Sequence, residues 1–214
     1  MRRHTKHRVG LAGLAALLLG LGMTPSQATT VRPMTIVDLL GHSETILAGT
    51  VERVADGVSS KGVPYTEVTL KVIDPIKGAA GARDTFRQFG LNEPRTLSDG
   101  RVATGGRPEG WPTWQEGEVA LVFLYRKARL TGLQTTVGLG YGKLSLGGGM
   151  ALNGYDNAGL FQGVRVNRTL LTSNEKSMFE KRKGPVDAET LRGFVRRAVA
   201  GQWIQKGSIA NAKR

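Results

Sequence analysis

A chain of 214 residues with 40% hydrophobic side chains is long enough for one sizeable core plus tails and too short for an array of domains. It contains no cysteine, which excludes disulfides, thiolate metal sites and a lipid anchor on a lipobox cysteine. Its formal charge of +13 turns the search for partners towards anions.

Residues 1–28 read as a Sec-type signal peptide. Arg2, Arg3, Lys6 and Arg8 form a basic start, Leu11 to Leu21 an apolar stretch, and Ser26 and Ala28 the small residues of a cleavage site at Ala28. A membrane anchor is the competing reading, but the apolar run falls short of the roughly 20 residues that span a bilayer. Arg2-Arg3 sits at the extreme start, and the residues after it do not extend a twin-arginine pattern. Residues 29–34 are a linker. The four cations of the signal leave +9 on the rest of the chain. The chain is therefore expected to be exported, periplasmic or extracellular, with no membrane span after cleavage. There it would meet anionic polymers and lipid head groups before any nucleic acid, and no specific nucleic-acid partner is expected. Its positive residues read as spread along the chain, a generic basic surface.

Thr35 to Ser43 places Ile36, Val37, Leu39 and Leu40 at near-helical spacing, which predicts one or two turns ended by Gly41. Glu44 to Val54 reads as a strand interrupted at Gly49, where a bulge or the close approach of another backbone is expected. Ala55 to Val63 is a polar hairpin loop, and Tyr65 to Ile73 alternates cleanly as the antiparallel partner. Asp74-Pro75-Ile76-Lys77-Gly78 closes that strand, since proline cannot donate to a ladder. Asp84 to Phe89 is a short third strand, with Phe86 and Gln88 on one face and Arg87 and Phe89 on the other.

Glu118 to Tyr125 is the longest apolar run after the N-terminus. Seven of its eight residues suit a core, so it is predicted to be a central strand buried on both faces. Leu133–Val137 and Tyr141–Leu146 follow as strands separated by Gly138-Leu139-Gly140, and a short strand is expected within Leu160–Val166. Pro185-Val186-Asp187 opens a C-terminal helix with Asp187 as its N-cap and an apolar stripe of Leu191, Phe194, Val195, Ala198 and Val199. Residues 204–214 read as a disordered basic tail. The fold class that results is mainly β: a small antiparallel OB-like barrel over residues 35–174, with a helix at 185–200 packed on it.

Gly90 to Gln115 has little periodicity, five glycines, three prolines and two of the three tryptophans. A loop of that length inside a domain is functional or mobile. Arg101, Arg107, Trp111 and Trp114 are accordingly the candidate binding residues, since aromatic and cationic side chains on a loop stack on sugars or anchor a protein. The competing reading makes the tryptophans caps of one end of the barrel.

Other chemistry is poorly supplied. His42 is the only histidine after the signal, so no histidine metal cluster is possible, and a triad would have to use it beside the adjacent Ser43. Gly138 to Lys143 lacks the spacing and the Ser/Thr of a phosphate loop. Glu116 and Glu118 are the nearest carboxylate pair, best read as charged punctuation at a strand start. No catalytic residue, metal or cofactor is expected.

The order of Ser43 to Val51, Tyr65 to Val72, Ile76-Lys77-Gly78, Gly117-Glu118 and Gly142-Lys143-Leu144 is similar to a group of secreted bacterial domains. These resemble the OB-type barrel of netrin-like modules, including the tissue inhibitors of metalloproteinases. The resemblance covers roughly residues 35 to 146. It implies the barrel fold but not the inhibitory mechanism, because those inhibitors bind metal through an N-terminal cysteine that this chain lacks. The expected function is an exported, non-enzymatic binding domain for a protein or an anionic envelope polymer. A protease inhibitor that works without a cysteine and a hydrolase with an unrecognised site are the alternatives.

Overall fold

A computed structural model describes residues 33–78, 81–96, 100, 102–103 and 109–212. The chain opens with helix α1 (Ile36–His42), capped by a Thr35/Asp38 capping box, and turns into strand β1 (Thr45–Val58). Strands β2 (Pro64–Lys77), β3 (Arg83–Phe89), β4 (Arg95–Thr96), β5 (Val102–Ala103), β6 (Val119–Leu124), β7 (Lys143–Gly147), β8 (Met150–Asn153) and β9 (Val164–Val166) follow. Helix α2 (Ser173–Phe179), strand β10 (Val186–Asp187), helix α3 (Ala188–Ala200) and strand β11 (Ile209–Asn211) complete the order.

Seven strands form one antiparallel sheet in the order β10-β8-β7-β6-β1-β2-β3, which puts β6 at its centre. That position explains the unbroken apolar run. Leu121 and Phe123 enter one core, while Ala120, Val122 and Leu124 enter the other, all fully buried. On the first face, Ile46, Ala48, Leu144 and Ala151 pack with α1 and with Leu191, Phe194, Val195 and Ala198 of α3. On the second face, Leu47, Val51, Val68, Leu70 and Phe86 gather around Trp114. The fold is thus mainly β with a C-terminal helix, as expected. The sheet pairs as an open one. Residues 133–137 link its β3 edge back towards β6: Gln134 N donates to Arg87 O, Tyr125 N donates to Thr135 O, and Thr136 bridges Leu124.

Gly49 meets both expectations. The β1–β2 register shifts between Ala48 and Gly49, and a Cβ there would lie 2.7 Å from the Lys71 carbonyl. The β7–β8 hairpin turns on Gly148 and Gly149, both at positive φ (56° and 76°), as a two-residue hairpin loop favours. Asp187 caps α3 by accepting from Thr190 N at 2.8 Å.

Several boundaries differ from those expected. Strand β2 runs through Pro75 to Lys77, because β3 pairs only with Tyr65 to Lys71 and the proline faces a border with no ladder to complete. Residues 133–137 make one bridge instead of a strand. Strand β7 begins at Lys143, after a 3-10 turn over Leu139–Tyr141. Helix α2 has no counterpart among the predicted elements. The segment read as a disordered tail carries β11, which pairs with β9, because Trp203 and Ile209 are buried and Ser208 N and Ile209 N both donate to Trp203 O. The signal-peptide reading, including Ala28, lies outside the described residues. No helix among those described is long and apolar enough to cross a membrane.

Candidate functional site

Of the four candidate binding residues, Arg101 and Arg107 lie outside the described residues, and the two tryptophans are placed apart. Strand β3 alternates as the sequence implies. Phe86 and Gln88 point into the second core, while Arg87 and Phe89 point out. Trp114 joins the inward pair. Its ring meets Phe86 edge-on at 5.3 Å, and its indole N–H donates to Gln88 Oε1 at 3.2 Å. Only 5% of Trp114 is exposed, so it is a core residue and offers nothing to a ligand. Trp111 joins the outward pair. It is half-buried against Phe89 at 6.3 Å, and Phe89 is 38% exposed.

The return arm of the loop, residues 109–117, is held along its length by hydrogen bonds to its backbone. Gly110 O accepts from Gly140 N at 2.8 Å, Pro112 O from Gln88 Nε2 at 3.2 Å, and Gln115 O from Glu118 N at 3.1 Å, while Gly117 N donates to Val51 O at 2.8 Å. The departing arm is fixed by Asp56, whose carboxylate accepts from Asn92 N, Glu93 N and Thr66 Oγ1. Tyr155, stacked on Tyr141 at 4.2 Å, fills the space beside Gly110, where a Cβ would lie 2.6 Å from its hydroxyl oxygen. Burial, with Tyr155 adding to it, pushes the Tyr141 hydroxyl above its ordinary pKa.

Beyond Phe89 the outer surface continues to Tyr65, its cross-strand partner, which carries the Arg87 guanidinium 4.5 Å above its ring. Trp111, Phe89, Tyr65 and Arg87 thus form an aromatic strip on the outer face of β2 and β3. Two of the cations on this face are paired, Arg87 with Glu67 at 2.8 Å and Arg83 with Glu52 at 2.5 Å. The alternation of β3 carried the signal for Phe89; the placement of Tyr65 and Arg87 required the register.

The residues weighed for catalysis are otherwise engaged or displaced. His42 is exposed at the end of α1. Glu116 accepts from Val54 N at 3.0 Å. Glu118 binds Lys143 Nζ at 2.6 Å and accepts from Ser145 Oγ at 2.5 Å. Lys143, the lysine of the run that falls short of a phosphate loop, lies 4.8 Å over the Trp114 ring and donates to Thr113 O. Its only nearby signal in the sequence was the i, i+2 spacing with Ser145 on one strand. Among the described residues no group of three His, Asp or Glu side chains is gathered that could hold a metal.

No protein-family model, no curated protein and no solved structure matches the chain.

Proposed function

We propose that the protein is an exported, non-enzymatic binding domain whose contact surface is the strip of Trp111, Phe89 and Tyr65, and whose partner is a protein of the envelope. One observation carries this reading: a fold that buries Trp114 almost completely leaves Phe89 38% exposed on the outer face of an edge strand, with the half-buried Trp111 beside it. Rigid aromatic side chains flanked by a guanidinium are the residue types that dominate the centres of protein interfaces. The paired cations on this face favour an uncharged or mixed partner surface over a polyanion.

The test is capture of envelope components by the purified protein and by the double variant Trp111→Ala, Phe89→Ala. Loss of the captured components, with the circular dichroism unchanged, is the expected result. Capture that is identical for both proteins removes the strip from consideration.

A further inference from the structure

Counting charge by region replaces the evenly basic surface with an uneven one. Between residues 33 and 164 there are 13 Lys and Arg and 13 Asp and Glu; between 165 and 214 there are 12 and 4. The excess positive charge after residue 32 therefore belongs to the stretch from β9 onward. Some of it is used internally. Arg192 and Arg196 both reach Asp74, and Arg197 binds Glu175 and lies over Trp203.

Others, among the described residues, are presented outward. Arg165, Lys176, Arg182, Lys183 and Lys206 are exposed and form no ion pair among the described residues, and the exposed Lys181 donates to the Pro185 carbonyl. Lys181, Arg182 and Lys183 stand on a turn whose backbone is fixed. Lys181 N donates to Met178 O at 3.2 Å, Gly159 N to Arg182 O at 3.3 Å, Gly184 N to Asp156 O at 2.7 Å, and Asn157 Nδ2 to Gly184 O at 3.0 Å. Binding there orders no backbone, which removes one of the usual costs of association.

The same stretch has nothing to insert into a membrane. Among the described residues the large exposed hydrophobic side chains are Ile73, Phe89, Val102, Leu130 and Leu152, all before residue 165. An interfacial helix needs an apolar face for the acyl boundary, and the apolar face of α3 is spent on the sheet. Guanidinium groups, by contrast, match phosphate oxygens two at a time, and ammonium groups act on them as point charges.

We propose that the turn Lys181-Arg182-Lys183 is a docking surface for a linear, phosphate-rich polyanion. This surface is separate from the Trp111 strip, and its test can fail independently of that reading. The probe is fluorescently labelled inorganic polyphosphate, titrated with the full chain and followed by anisotropy at low and at physiological salt. Binding is saturable and weakens as salt rises. Lys181→Glu with Arg182→Glu and Lys183→Glu weakens it by on the order of 100-fold, from about fivefold per cation at an anionic surface.

Lys61→Glu with Lys127→Glu and Arg129→Glu makes the same change in net charge on exposed residues of the charge-balanced region. That variant loses less than about threefold, because distant surface charges are screened. Trp111→Ala binds as the unaltered protein does. Equal losses in the two triple variants would show that net charge alone is at work and overturn the proposal. Absence of polyphosphate binding at low salt would also overturn it, as would tighter binding to phosphatidylglycerol vesicles than to polyphosphate.

Discussion

The two faces of the central sheet are closed in different ways. The first is backed by helices, and its core is crossed by a chain of aromatic contacts, Phe161 to Phe179 at 5.0 Å, Phe179 to Phe194 at 5.1 Å and Phe194 to Trp203 at 5.7 Å. The second is lined by side chains of β1, β2, β3 and β6 and is covered by Trp114, with polar support from Gln88 and Lys143. Among the described residues the first core gathers 23 buried hydrophobic residues, whereas the second gathers nine, of which Trp114 is the largest and the one held by an indole hydrogen bond. The arm that presents Trp111 outward is therefore the arm that closes a core inward, and any ligand at the strip acts on a segment already needed for stability.

The contrast is broken most directly at its centre. Trp114→Ala is expected to cost about 3–5 kcal/mol, the range for removing a buried large aromatic, whereas Trp111→Ala three residues away, which loses a half-buried ring on Phe89, should cost about 1 kcal/mol. Denaturant midpoints followed by circular dichroism measure both, and equal losses would mean that the second core does not depend on one indole.

Glu118→Ala comes next. The side chain of Lys143 is 9% exposed and that of Glu118 is 18% exposed, so the variant takes a carboxylate at 2.6 Å away from a nearly buried ammonium. It should cost about 3 kcal/mol, and Glu118→Ala combined with Lys143→Met should recover much of that loss in a double-mutant cycle.

On the helix-backed face, Asp187→Ala removes the cap of α3 and should cost about 1 kcal/mol at neutral pH. The bonds from Thr190 hold the Asp187 carboxyl below its usual pKa. Its contribution is present above the unfolded-state value and fades as pH falls through the lowered one, so wild type and variant should converge in acid.

Asp84 gives the opposite sign and the smallest effect. Burial on the inner side of β3 raises its carboxyl above the usual value, against the pull of Lys127. The folded state therefore favours the protonated form, and stability from this group is present at low pH and lost as pH rises through the raised value. Asp84→Asn should be slightly more stable than wild type at neutral pH, with the difference vanishing in acid; a variant less stable at pH 7 would contradict this.

The sequence was most informative where one interaction decides the outcome. Glu118 to Tyr125 announced a two-sided strand because no polar position interrupts it. Gly49 announced a bulge because no side chain fits against the Lys71 carbonyl, and Asp187 marked a helix start by its own hydrogen bond. It was least informative where partners are distant. Trp111 and Trp114 look alike in a loop, and only Gln88 and Phe86, some 26 residues earlier, separate them into outer and inner. Strand β2 passes Pro75 because β3 has already ended, which no local pattern states. Two features are legible yet easily passed over: Thr172 and Glu175 have the spacing of the capping box they form at the start of α2, and the charge asymmetry about residue 165 needs only counting.

The two borders of the sheet bear on solubility. One ends in β10, two residues long and continuous with α3; the other, β3, has residues 133–137 bonded across to Arg87. At the β3 border the Arg87 carbonyl is already taken by Gln134 N, so a strand of another chain adding there would have to displace that bond. The segment best suited to such addition, Val-Ala-Leu-Val-Phe-Leu of β6, is locked between β1 and β7. Fibre growth through β6 would therefore have to wait for the sheet to open, at the cost of both cores that its side chains enter.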